Sequence, residues 1–404
     1  MFADSYEEMQ NVIDALYEYC NENKLVVNTL KTKVMVFKKG GRGLNNIVFN
    51  FGVETIDIVD KYTYLGVIFH KTGLSNEAAK QALLKSNIAS SSTLSLIKRA
   101  KITSFETVIK LFGALVNSVA LYAGEVWGPN NLDKLTVLQN KFFKTFLSLP
   151  KCTPHYAVRY ETQLTSIEVV VFKLTLNWIS RMIKMENNRY PKVMLHILFE
   201  RNLDERNNSE KYNWISSIKK VFFDQIEENQ FFNNLEIFGT LTELSTRKRL
   251  ESKYLEKLKN NDKIKCHQSS ALLNYPTCIV ENLNSNYLTL PYQLVYMKLS
   301  AQIRLLNKYC NRLIIKNNVY ILKELNVCEF CNSSELNIMH WLSDCPLYDE
   351  LRQTYEVPEL RSENKSMSIL LQATSGKNSN KIINFTLHML ENVLSEKVII
   401  HKYN

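Results

Sequence analysis

Three cysteines and a histidine fall close together near the carboxy end of the sequence, as Cys328-x2-Cys331-x8-His340-x4-Cys345. Three thiolates and an imidazole are a donor set that zinc takes up in tetrahedral geometry. The close cysteine pair would sit on a tight turn, and His340 and Cys345 at the start of a following helix. Four protein ligands leave no position for a water, so the expected Zn²⁺ is structural rather than hydrolytic. The alternative is a chance grouping of buried cysteines with a surface histidine; three of the eight Cys crowded into this one stretch favour zinc. Phe330 and Trp341 flank the ligands and suit either stacking on unpaired bases or plain packing.

Other reactive patterns are missing. The sequence contains no His-Glu-x-x-His, no Gly-x-Ser-x-Gly, no Walker phosphate loop and no Gly-x-Gly-x-x-Gly opening a helix. Gly40, Gly41 and Gly43, flanked by Lys38, Lys39 and Arg42, read as a hairpin turn rather than a phosphate cradle, because no helix start follows them. Cys152 and His155 are close in sequence, but Pro150 and Pro154 around them favour a connecting turn over a Cys–His nucleophile.

Charge supplies the second signal. Lys plus Arg number 50 against 40 Asp plus Glu, a net +10, which points to a polyanionic partner, nucleic acid first and a membrane surface second. The charge is also unevenly placed. No Asp or Glu occurs from Ala78 to Phe105, from Lys134 to Tyr160 or from Asn282 to Lys323, while each window carries several Lys and Arg. Lys98, Arg99 and Lys101 close the first window. In the last, Arg304, Lys308, Arg312 and Lys316 recur every four residues, which on one helix makes a cationic stripe suited to a phosphate backbone, with a solvated helix face as the alternative.

These residues need elements to hold them. At 404 residues, 45% hydrophobic and 22% charged, the chain has enough length and apolar content for two or three folded units. Asp4, Glu7 and Glu8 stand where a secretory leader would be basic and then apolar, and the charge-free run Leu111 to Gly124 is too short to cross a bilayer, so an intracellular chain with no membrane partner is expected, in nucleus or cytoplasm. Ser5-Tyr6-Glu7-Glu8 has the form of a capping box and starts a predicted helix over 6–22. Short β-prone runs follow at 25–27, 34–37, 47–49, 56–59 and 64–69, giving one helix packed on a small sheet. Long helical periods then run over 76–100, 104–123, 132–149 and 165–186, and the fold class is predominantly α with a small amino-terminal α+β unit. Arg201 to Lys211, Lys259 to Ser270 and Arg361 to Lys381 are polar enough to be linkers or solvated helix ends.

The order of several motifs resembles a known family. Ser5 to Gln10, Leu16 to Cys20, Val27-Asn28, Lys31 to Phe37 and Tyr62-Thr63-Tyr64-Leu65-Gly66-Val67 resemble the end of the palm of non-LTR (LINE-type) retrotransposon reverse transcriptases. Leu121 to Gly128, Leu138 to Phe143, Leu149-Pro150, Thr153-Pro154 and Ala157 to Glu161 resemble the segment that follows. Arg304-Leu305, the Cys/Cys/His/Cys set, Cys345 to Tyr348 and Arg352 resemble the zinc-knuckle tail of jockey-like elements. The resemblance implies a palm remnant at 1–75, a helical thumb-like region at 76–190, a helical connecting region at 191–300, a basic helix and CCHC knuckle at 301–360, and a polar linker with a terminal helix at 361–404. It also implies that Lys31 falls at the palm lysine near the leaving pyrophosphate and Tyr64, Leu65 and Gly66 at a hairpin gripping the primer end; a strand start and ordinary sheet core are the plain alternatives.

The family's polymerisation needs two Mg²⁺ held by an early aspartate and an aromatic-Ala-Asp-Asp box. Phe2-Ala3-Asp4-Ser5 imitates that box, but the helix begins directly after Ser5, leaving no length for the strand that would follow it, so Ser5 reads as a helix cap. The expectation is a portion of an RNA-directed DNA polymerase that holds RNA or DNA without extending it, and for which Mg²⁺ matters only if an amino-terminal reverse transcriptase half supplies the carboxylates. Restored synthesis in a longer or complemented product, and a relic or repurposed scaffold, are the other readings.

Overall fold

The structure, a computed structural model, describes residues 1–38, 47–203, 212–272, 275, 286–289, 294–307, 312–315, 318–321, 331, 340, 345–355, 381 and 384–389. Ser5 caps α1 (Tyr6–Glu22), its hydroxyl accepting the Glu8 N–H at 3.1 Å, and the Glu8 carboxylate returns to accept the Asp4 N–H at 2.9 Å. The reciprocal pair satisfies donors that the first turn leaves open, so the start of this helix is fixed locally. Its apolar face buries Ile13 and Cys20 against Val34, Phe49, Phe51 and Ile56.

The strands that follow are β1 (Phe49–Phe51), β2 (Glu54–Ile56), β3 (Lys61–Tyr64) and β4 (Val67–His70). They pair as two antiparallel hairpins, with Phe49 opposite Ile56 and Lys61 opposite His70, and a lone parallel bridge joins Val34 to Ile58. The single small sheet expected from the sequence therefore does not form among the described residues. Every residue of β3 is exposed and β4 packs on α2 instead of on the first hairpin, while Leu25 and Val26 stay exposed outside any strand.

Gly52 turns the first hairpin at φ +62°, and a Cβ there would lie 2.5 Å from the Tyr17 ring, which packs edge-on against Phe51. Gly52→Ala combines left-handed strain with a clash against a core ring. It is expected to cost about 1–3 kcal/mol, read as an earlier thermal transition of this amino-terminal unit.

Beyond residue 75 the described chain is almost wholly helical. The order is α2 (Asn76–Arg99), α3 (Phe105–Leu111), a π turn over Phe112–Asn117, α4 (Ser118–Ala120), α5 (Gly124–Trp127), α6 (Leu132–Phe146), α7 (His155–Thr162), α8 (Ile167–Ile183), α9 (Tyr190–Leu203), α10 (Trp214–Ile218), α11 (Leu235–Gly239) and α12 (Leu244–His267). After them come α13 (Leu294–Arg304), the hairpin of β5 (Arg312–Ile315) and β6 (Asn318–Ile321), and α14 (Asp349–Thr354). The predominantly α reading holds. Lys259 to Ser270, expected as a linker or helix end, is mostly the body of α12; Asp262 and Cys266 face inward from it. Of the other candidate linkers, 201–203 end α9, and 204–211 and 361–380 lie outside the described residues.

One apolar core, from Ala79 to Leu305, unites α2 through α13. It crosses position 190: Phe172 stacks on Phe222 at 4.6 Å and meets Tyr254 at 5.2 Å. The four helices predicted from periodicity at 76–186 supply its first half, because their apolar stripes are wide enough to be read without knowing what covers them. The connecting turn read around Cys152 lies at 151–153, and α7 starts directly after Pro154, at His155. Pro154 serves as its N-cap residue, with the extended backbone (φ −61°, ψ 140°) that leads into a helix.

Candidate metal centre and cationic surfaces

Cys331, His340 and Cys345 converge: their ligand atoms all lie within 4.8 Å of one another, and Cys331 Sγ is 3.2 Å from His340 Nε2. The local chain explains the approach. Cys345 N–H donates to the His340 carbonyl at 2.8 Å, folding these two residues together, and both side chains are buried while Cys331 is half-buried. Arg352, reaching back from α14, donates to the Cys345 carbonyl and pairs with Asp349 at 2.6 Å, so α14 holds the turn that carries the last cysteine. Two sulfurs and one imidazole nitrogen at this spacing could hold a soft or borderline metal ion. Cys328, the fourth expected ligand, lies outside the described residues, as do Phe330, Trp341, Gly40, Gly41 and Gly43.

The cationic stripe drawn through Arg304, Lys308, Arg312 and Lys316 requires correction. α13 ends at Arg304 and Arg312 opens a strand, so no single helix carries the four; Lys308 and Lys316 lie outside the described residues. Arg304 is not a surface residue at all. Its guanidinium and the Glu161 carboxylate are each 1% exposed, with Nε 2.6 Å from Oε1 and Nη2 3.2 Å from Oε2. The Tyr275 and Tyr287 hydroxyls complete the carboxylate's shell at 2.8 and 2.6 Å. A buried guanidinium needs such a partner, and this one comes from α7.

Lys98, Arg99 and Lys101 stand where a polyanion can reach them. All three are exposed at and just past the end of α2, and none makes an ion pair among the described residues. Lys298 of α13 lies near enough to Lys98 that, after burial, this second ammonium is the cause holding its pKa below the ordinary lysine value. Lys298 and Lys98, about two hundred residues apart in sequence, thus lie within reach of each other's charge. No sequence signal pairs Lys298 with Lys98, because nothing local links α13 to α2.

The remaining expected site residues sit in the amino-terminal unit. Lys31 is exposed in a turn whose N–H is accepted by the Asn28 side chain at 3.1 Å, while Lys33, which was to continue a strand, pairs with Asp57 at 2.5 Å. Tyr64, Leu65 and Gly66 form the tip of the β3–β4 hairpin, with Leu65 and Gly66 at φ 47° and 81°, and Tyr64 and Leu65 are 59% and 73% exposed, which excludes the sheet-core reading. The Tyr122 hydroxyl donates to the Leu65 carbonyl at 2.7 Å, joining this tip to the loop between α4 and α5.

None of the helices is long and apolar enough to cross a membrane among the described residues. Comparison of the chain with protein-family models, with curated proteins and with solved structures finds no match.

Proposed function

We propose that this chain binds single-stranded or duplex nucleic acid through the positive patch at the end of α2, and that Cys331, His340 and Cys345 hold a structural zinc with Cys328 as fourth ligand. The observation that carries the reading is this cluster: Lys98, Arg99 and Lys101 are exposed and make no ion pair among the described residues, and Lys298 lies within reach of the Lys98 charge. Like charges gathered without counter-ions lose less free energy when a polyanion lies across them, and the released counterions drive binding.

The ordered motifs from Ser5 to Arg352 support a narrower version, in which the chain is the carboxy-terminal portion of a non-LTR retrotransposon reverse transcriptase, with palm remnant, thumb-like helices and zinc knuckle. Within these 404 residues no aromatic-Ala-Asp-Asp box supplies the paired carboxylates, so on this reading the chain grips template and primer without extending them. RNA-directed synthesis would then require Mg²⁺ and an amino-terminal half from elsewhere.

Titration of labelled RNA and DNA at several salt concentrations tests the reading. Affinity should fall steeply with salt, and replacing Lys98, Arg99 and Lys101 together by Ala should weaken binding at least tenfold and flatten the log–log salt slope by about two. Binding no tighter than that of a neutral control protein, or a triple variant indistinguishable from the parent chain, overturns it. Primer extension by the chain alone would overturn the narrower version only.

A further inference from the structure

We infer that the amino-terminal end of α7 is a phosphate seat, formed by Lys144, Thr153, His155 and the open N–H groups of the first helical turn. Lys144 leaves α6 with its side chain only 6% exposed, and its ammonium finds one partner, the Lys151 carbonyl at 3.1 Å. A buried ammonium normally faces a carboxylate; this one makes no ion pair among the described residues. Glu161 of α7 and Asp262 of α12 are engaged elsewhere. Glu161 is enclosed by Arg304, Tyr275 and Tyr287, and Asp262 receives both arms of Arg159 at 2.8 and 2.6 Å.

The loop that Lys144 touches leads directly into α7, whose Pro154 N-cap offers no side-chain acceptor to the first-turn N–H groups. Thr153, immediately before it, is 1% exposed and its hydroxyl has no hydrogen-bond partner. His155, the first helical residue, is half-buried. Its pKa is lowered by burial first, then by Lys144 and Arg159; burial likewise draws Lys144 down to about 8, against a smaller upward pull from Cys152. The Lys144 charge is thus felt at a helix end that itself favours anions, and it makes no ion pair among the described residues. A tetrahedral oxyanion accepts several such donors at once, which is why a phosphate group fits better than a single carboxylate. Lys151 and Cys152, in the same loop, are exposed.

The phosphate has two sources, inorganic phosphate or a strand's backbone, and the second deepens the nucleic-acid reading above and rests on it. The His155 imidazole resonance separates them in a titration with sodium phosphate, with chloride at equal ionic strength as reference, and in a second titration with a single-stranded RNA oligomer. Saturable shifts with phosphate, weakened at least tenfold in Lys144→Met, are expected. The same shifts with RNA assign the seat to a backbone phosphate, and shifts with phosphate alone assign it to the free anion. Lys144→Met removes a buried charge without emptying its space, and unchanged circular dichroism and thermal transition confirm its fold. No saturable response to either titrant, or an equal response in the variant, overturns the seat. RNA binding with a silent His155 leaves the patch on α2 standing and defeats the seat alone.

Discussion

Glu161→Ala is expected to lower the free energy of unfolding by about 3–5 kcal/mol, because it removes a buried carboxylate that accepts from a buried guanidinium and from two buried tyrosine hydroxyls. The exposure of 1% on both sides of the Glu161–Arg304 pair rules out rescue by solvent without local opening. Urea unfolding followed by circular dichroism measures the loss. The double replacement Glu161→Leu with Arg304→Met removes both charges together and should recover a large part of it, since the penalty lies in the unpaired charge rather than in the absence of the bond. Equal stability of Glu161→Ala and the parent chain would show that the pair is not buried in solution. Arg304→Ala also sharpens the functional reading: acting through the fold, it should reduce nucleic-acid affinity only to the extent that it reduces the folded fraction.

The second large effect concerns the metal centre. One zinc per chain is expected in reduced, freshly purified protein, and apparent binding free energies of such sites run to about 10–16 kcal/mol. Chelation or Cys345→Ser should therefore abolish retention of the ion and loosen the turn that Arg352 holds, seen as faster amide exchange from Cys345 through Arg352. Cys328→Ser isolates the fourth ligand: a loss of affinity by several orders of magnitude assigns it to the metal, and undiminished zinc content removes it from the set. A metal stoichiometry near zero in the parent chain would sink the centre altogether.

The features that could be read from sequence are those settled within a few residues. Ser5 and Glu8 announce the start of α1 because cap donors and acceptors are neighbours along the chain. The apolar stripe of α6, with Leu135, Leu138, Phe142 and Phe146 buried, is legible for the same reason. Arg304 was misplaced because its environment is set by a residue 143 positions earlier; a regular spacing of cations says nothing about which of them a distant carboxylate will draw inside. Lys144 gave no warning either. It lies in an acid-free window that looks like a solvated face, and only the packing of the loop before α7 shows that its ammonium is enclosed. Cys331, His340 and Cys345 were recognisable because soft ligands at short separations along the chain form a metal-binding pattern that needs no distant partner.

The contact between Tyr122 and Leu65 bears on how force passes through the molecule. The β3–β4 tip projects into solvent with little apolar anchorage, and this O–H to carbonyl bond, 2.7 Å long, ties it to the helical body. A strand tugging on the tip would load the α4–α5 loop, where Ala123 adopts a left-handed backbone at φ 53° and the Trp127 indole grips the Tyr122 carbonyl at 2.9 Å. Deleting that single oxygen, as in Tyr122→Phe, removes this tie at the tip, while the Lys61–Glu77 pair at 2.7 Å still joins the base of the hairpin to α2.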